Sequence, residues 1–209
     1  MNSALPEKFT LVLGGGGAKG YAHLGVLQAL EEMGKKPSLI VGTSMGALMG
    51  FLYCTGNPLS TIISEVEKIT RLAFFRLAVF SPWSGMWLFS LKGLEKKLRS
   101  ATGDPLLEEL PIPLCTIAVE AHTGKKHIFR RGNAVDAVLA SIAVPGYFRP
   151  LKSKGIFWVD GGLVEPLPVE SAREVGGEFI VAVDVWSRRS QPVYPPPRPF
   201  SLLSAYTYA

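Results

Sequence analysis

From its first residues the chain sets short apolar runs beside longer stretches of helical periodicity. Residues 9–13 (FTLVL) form a compact apolar run that stops at glycine, the pattern of a strand buried on both faces. Over residues 21–33, Ala22, Val26, Leu27 and Leu30 recur at helical spacing, and Gly34 supplies a stop. Residues 38–41 predict a second buried strand, followed by an apolar helix over 47–54. Further strands are predicted at 114–119, 126–129, 156–159 and 179–185, with helices at 134–143 and 169–175. Strands and helices alternating in this way build βαβ units, hence a mostly parallel sheet with helices on both faces. Residues 61–100 carry no strand pattern and read as two or three helices forming a cap or side layer.

Composition narrows the class. A chain of 209 residues, 47% hydrophobic and 19% charged, has enough apolar surface for one core of its own and is not generally disordered. Pro192, Pro195, Pro196, Pro197 and Pro199 favour an extended conformation, so a packed domain is expected over 1–187 and a Pro-rich tail over 188–209. Cys54 and Cys115 lie in apolar runs and are expected as reduced, buried thiols. No Cys/His cluster has zinc spacing, so no structural metal is expected. The start lacks the apolar region of a secretory signal. The richest apolar stretch, 71–92, is interrupted by Arg76 and Pro82, whereas a membrane span needs about 20 apolar residues in a row. The expected location is cytoplasmic, with at most a peripheral hold on a membrane.

Gly42, Thr43, Ser44, Met45 and Gly46 match G-x-S-x-G between a predicted strand and a predicted helix. Such a turn thrusts the serine hydroxyl outward at a helix N-terminus; the bland alternative is an ordinary turn with Ser44 as a helix cap. A nucleophilic serine needs a proton acceptor. His122 and His127 flank a predicted hairpin and suit solvated positions, and His23, in the first helix, suits a packing or supporting role. No histidine follows residue 127, so a hydrolase triad lacks a well-placed base. Asp160 ends a predicted strand, where parallel sheets gather reactive groups, and Gly161 and Gly162 permit close backbone approach. It is either a base raised in pKa by desolvation or a residue capping a turn.

The run Gly14, Gly15, Gly16, Gly17, Ala18, Lys19, Gly20 links the first strand to the first helix and offers unpaired backbone N–H groups to an anion. It is no Walker loop, because Lys19 is followed by Gly20 rather than by Ser or Thr. Dinucleotide binding is disfavoured as well: the second strand leads into Ser44 where the ribose-binding acid belongs. An oxyanion hole fits the loop better.

GGGGAKG, GTSMG and DGG in this order resemble the patatin-like phospholipase family, and ASIAVPGYFRP and VDGGLVEPLPVESAREVG extend the likeness across residues 9–185. The resemblance implies a three-layer α/β/α patatin-like fold with a mostly parallel central sheet and a helical cap or side layer. It implies an acyl hydrolase with a Ser44–Asp160 dyad, no histidine and no cofactor. It also implies an oxyanion hole from the backbone of Gly15, Gly16 and Gly17, with Lys19, Gly42, Gly46, Gly161 and Gly162 in support. The implied substrate is a fatty-acyl ester of a phospholipid or lysophospholipid. A general carboxylesterase or thioesterase with the same dyad, and a non-catalytic lipid-binding module, are the alternatives. Gly14 stands where the family often has aspartate, and Lys19 where many relatives have arginine, which keeps the cation and loses the bidentate geometry.

Two surface features bear on partners. Phe74, Phe75, Phe80, Trp83, Trp87 and Phe89 concentrate aromatic rings in the predicted cap, as core or as contacts for acyl chains or a bilayer. Lys125, Lys126, Arg130, Arg131, Arg149, Lys152 and Lys154 gather between residues 121 and 158 against Asp136 alone. They form a solvated face or a peripheral contact with an anionic membrane surface. No basic helix or binding motif accompanies them, so nucleic acid is not an expected partner. The oligomeric state has no signature in the sequence.

Overall fold

The computed structural model describes residues 5–77 and 91–186, with the backbone alone over 69–77. The chain begins β1 (Thr10–Leu13), α1 (Ala22–Glu32), β2 (Leu39–Thr43), α2 (Met45–Cys54), α3 (Leu59–Leu77) and α4 (Lys92–Thr102). It continues β3 (Leu114–Glu120), β4 (Lys126–Phe129), α5 (Ala134–Ser141), β5 (Leu151–Ser153), β6 (Ile156–Asp160), α6 (Val169–Glu174) and β7 (Ile180–Val183). The strands form one sheet in the order β5-β6-β3-β2-β1-β7, with β4 also on β3. From β7 through β1 and β2 to β3 all pairings are parallel. The other pairings, β4 and β6 on β3 and β5 on β6, are antiparallel.

Period-two alternation divides the apolar side chains between the two faces. Leu11, Leu13, Ile40 and Leu114 join the large cluster that holds α1, α2, α4, α5 and the start of α3. Val12, Val41, Cys115 and Ile117 point the other way and meet Ala172 of α6. The molecule is therefore α/β/α, with most of the described helices on one face. Each large side chain so buried contributes about 1.5–3 kcal/mol, which is why β1, β2 and β3 read as continuous apolar runs. Cys54 and Cys115 are free and buried, and burial pushes the Cys115 thiol up to about 11.

The predicted elements recur with shifted ends, and one strand is added. β5 was not expected, because Leu-Lys-Ser is no apolar run. It forms as the first arm of a hairpin whose two turn residues, Lys154 and Gly155, have φ 49 and φ 81. Positive φ at both central positions is what a type I′ turn requires. A short helical turn, Gly17–Tyr21, also precedes α1. Helices α3 and α4 occupy the region expected to be helical. Phe80, Trp83, Trp87, Phe89 and the Pro-rich tail lie outside the described residues, as do the side chains of Phe74 and Phe75.

One pairing relationship positions the site. Thr43 of β2 pairs with Ile117, and Asp160 of β6 pairs with Ala118. Ile117 and Ala118 pair at the same time with Ile128 and His127 of β4. A strand has only two edges, so β4 holds one and β2 and β6 share the other. Their C-terminal ends meet head to head in the plane of the sheet.

Candidate active site

Ser44 is the single residue between β2 and α2, held at φ 55 and ψ −124. Positive φ is rare for a residue with a side chain and persists only where the surroundings fix it. The surroundings are two glycines with no room for a Cβ. One built on Gly46 would stand 2.1 Å from the Leu13 carbonyl oxygen, and one on Gly42 would stand 2.6 Å from Ala47 Cα. The Ser44 hydroxyl makes no cap bond to α2, which removes the helix-cap alternative. Instead Oγ donates to Asp160 Oδ2 at 2.6 Å. The backbone N–H of Ser44 donates to Ser141 Oγ at 2.9 Å.

Asp160, 4% exposed, ends β6. Its Oδ1 accepts the Gly162 N–H at 2.6 Å. Burial pushes its carboxyl up to about 6, against the opposing pull of the hydrogen bonds from Ser44 and Gly162. Gly161 must be glycine: a Cβ there would lie 2.3 Å from the Ile117 carbonyl oxygen.

The glycine loop closes over the pair from β1. A Cβ on Gly15 would reach 3.3 Å from Ser44 Cβ, so the loop lies directly against the serine. Gly15 N–H already donates to the Pro166 carbonyl at 2.7 Å, and Gly14 N–H to Val183 at 3.1 Å. The N–H groups of Gly16 and Gly17 find no acceptor among the described residues. Lys19 N–H donates to the Gly16 carbonyl at 3.0 Å, and its ammonium lies 5.6 Å from the centroid of the Trp186 ring.

No histidine hydrogen-bonds Ser44 or Asp160 among the described residues. His23 is buried in α1 with Nε2 2.7 Å from the Gly14 carbonyl oxygen, and burial lowers its pKa. His122 packs edge-on against Phe157, and His127 edge-on against Phe129 and tilted against Trp158. Sequence reasoning passed over three participants. Ser141 Oγ accepts the backbone N–H of Ser44. Glu165 accepts the Thr43 hydroxyl on its backbone oxygen at 3.0 Å, while its carboxylate takes the N–H and hydroxyl of Ser171 and the ammonium of Lys126. Pro166 receives Gly15. The only advance sign of them was their place inside the ASIAVPGYFRP and VDGGLVEPLPVESAREVG segments.

No group of three or more His, Cys, Asp or Glu side chains is arranged to hold a metal among the described residues. No described helix is long and apolar enough to cross a membrane. Lys126 is tied to Glu165 and Glu174, at 3.1 Å and 2.7 Å, so it does not belong to a free basic face. Lys125, Arg130, Arg131, Arg149, Lys152 and Lys154 are exposed.

Residues 11–173 match the patatin-like phospholipase family. The chain belongs to that family. An uncharacterized NTE family protein of Mycobacterium tuberculosis is 36% identical over 178 residues, which take in 85% of this chain and 49% of the relative. The neuropathy target esterase of Drosophila melanogaster is 34% identical over 184 residues, 85% of this chain and 13% of its own length. The patatin-like fold is seen again in VipD of Legionella pneumophila, with a TM-score of 0.53 at 19% identity over 77% of this chain and 47% of VipD. The patatin-like chain thus spans about half the length of the mycobacterial relative, and less of the animal one.

Proposed function

We propose that the chain is a serine acyl hydrolase acting on fatty-acyl esters of phospholipids or lysophospholipids. The observation that carries this reading is the 2.6 Å hydrogen bond from Ser44 Oγ to a buried carboxylate whose pKa lies near 6. At neutral pH that carboxylate is ionised and still basic enough to take a proton from a serine. Ser44 Oγ attacks the ester carbonyl as its proton passes to Asp160. The oxyanion is received by the Gly16 and Gly17 N–H groups, a stabilisation of about 3–4 kcal/mol for one donor in comparable sites. Collapse breaks the ester bond, and Asp160 returns the proton to the departing alcohol. Water then attacks the acyl-serine, again giving its proton to Asp160, and the fatty acid leaves as the proton goes back to Ser44.

The substrate class has two supports. The family is named for phospholipases and one relative for an esterase. Leu163 and Val164, 54% and 46% exposed, follow directly on the glycine that holds Asp160 and offer apolar surface beside the dyad. Six exposed cations between residues 125 and 154 support a peripheral hold on anionic lipid.

The test is labelling with a serine-reactive fluorophosphonate, peptide mapping of the adduct, and hydrolysis assays on lysophospholipid, phospholipid vesicles and short nitrophenyl esters. The adduct is expected on Ser44, with fatty acid released from lipid. Turnover of nitrophenyl esters alone selects a general esterase. Undiminished turnover by Ser44→Ala removes the serine mechanism, and an inert wild-type protein that binds vesicles selects the lipid-binding module.

A further inference from the structure

We propose that His23 is a positioning residue: by donating one fixed hydrogen bond to the Gly14 carbonyl, it sets the glycine loop so that the Gly16 and Gly17 N–H groups face the reacting ester. The inference rests on the reaction proposed above and adds a residue to it.

His23 is fully buried, with Nε2 2.7 Å from the Gly14 carbonyl oxygen. A carbonyl only accepts, so that nitrogen carries the proton. The other nitrogen, Nδ1, is buried with no partner. Protonating it would add an unpaired donor and an unpaired charge in the same dry place, so the ring is neutral with its one proton committed to the backbone. Such a ring cannot serve as the base for Ser44. An apolar side chain in the same space would leave the buried Gly14 carbonyl without its donor.

The geometry gives the bond another use. In a trans peptide the C=O and N–H point in opposite directions. At the Gly14–Gly15 peptide the carbonyl goes to His23, and the N–H goes to the Pro166 carbonyl at 2.7 Å. Both ends are held, so a unit flanked by glycines, free to rotate elsewhere, has one orientation here. That orientation decides where the next two N–H groups point. The helical turn that follows, Gly17–Tyr21, abuts the neighbour of Ser44, since a Cβ on Gly20 would stand 2.2 Å from Met45 Cγ.

The experiment compares His23→Met, which keeps the bulk and loses the donor, with His23→Gln, which places an amide N–H where Nε2 stands. Hydrolysis of lysophospholipid and of a nitrophenyl ester is measured, with thermal unfolding of each variant. His23→Met is expected to lose about 100-fold in kcat, the loss known for one misplaced oxyanion donor, with little change in KM. His23→Gln should recover to within about tenfold of wild type, because the donor alone is what the loop needs. The rate of phosphonylation of Ser44 should follow kcat.

Wild-type kcat in folded His23→Met overturns the proposal. So does an equal loss in both variants when both unfold like wild type. If His23→Met does not fold, His23→Gln decides alone: near wild-type turnover supports the proposal, and a deep loss in a folded protein overturns it. A wild-type protein inert to esters and to fluorophosphonate fails the proposed function, and this inference with it. An active wild type indifferent to both substitutions fails this inference only.

Discussion

Ser44 and Asp160, 116 positions apart, meet because the strands that carry them end against consecutive residues of β3, Ile117 and Ala118. Their 2.6 Å contact is therefore set by backbone register rather than by the reach of long side chains. Both side chains are short. A slip of one residue in either pairing would also turn the strand's side chains to the opposite face.

The buried carboxylate makes an unusual stability prediction. The pKa of Asp160 rises from 3.8 to about 6 on folding, so the native state holds its proton more tightly than the unfolded chain does. The sign follows: the native state is favoured below about pH 4 and loses up to ~3 kcal/mol from this group as pH rises through 6. Asp160→Asn is expected to abolish hydrolysis and yet raise the thermal midpoint at pH 7 by several degrees. That gain should vanish near pH 4. Thermal unfolding at the two pH values checks it, and a lower midpoint than wild type at pH 7 contradicts it.

In the proposed reaction the same group sets the acid limb of activity. Asp160 takes a proton from Ser44 only when ionised, so kcat is expected to fall about tenfold per pH unit below pH 6. A profile that stays level to pH 4 would mean that an ordinary exposed carboxylate, or none, serves as base.

What the sequence revealed and what it hid have one physical explanation. The glycine run, the G-x-S-x-G turn and the glycines after Asp160 were legible because a Cβ at Gly42, Gly46 or Gly161 would overlap atoms of the Ala47, Leu13 or Ile117 backbone. Residue type alone reports such contacts. The spacing also revealed that the loop offers N–H groups, but not that Pro166 had taken the one on Gly15. Ser141 and Glu165 were hidden because their partners lie 97 and 122 positions away, joined through the chain's path and not through any local pattern. β5 was hidden by its length, its clue being the Lys154–Gly155 turn.

Ser141 should affect rate more than binding. It is fully buried, and its Oγ is the acceptor for the amide of a residue held at positive φ. Ser141→Ala strands that N–H, at a cost of about 1–3 kcal/mol in stability. The expected result is a kcat lowered by about tenfold with KM unchanged, since a stranded amide lets the nucleophile drift from its attack geometry. Unchanged kcat with lowered stability would leave Ser141 a purely structural residue.

Glu165 links the two halves of the site, and its loss should be felt in both. Its backbone oxygen receives the Thr43 hydroxyl, and the carbonyl of the next residue receives Gly15 N–H. Its carboxylate is what holds this segment down, through Ser171 and Lys126. Burial pushes that carboxyl up, but the hydrogen bonds from Ser171 and Lys126 outweigh it and keep the pKa below its ordinary value. A folded pKa below the unfolded one stabilises the native state above the usual glutamate range, and that stability is lost as pH falls through the folded value. Glu165→Gln keeps an acceptor for the Ser171 N–H and leaves Lys126 with one carboxylate, Glu174. It is expected to lose roughly 1–3 kcal/mol in urea unfolding at pH 7, less at pH 4, and to lower kcat as Thr43 and Gly15 lose their fixed anchors. Lys126→Met should act in the same direction. The double variant should lose less than the two single losses combined, because both remove the same contact. Strictly additive losses would show that the ion pair does not hold the segment.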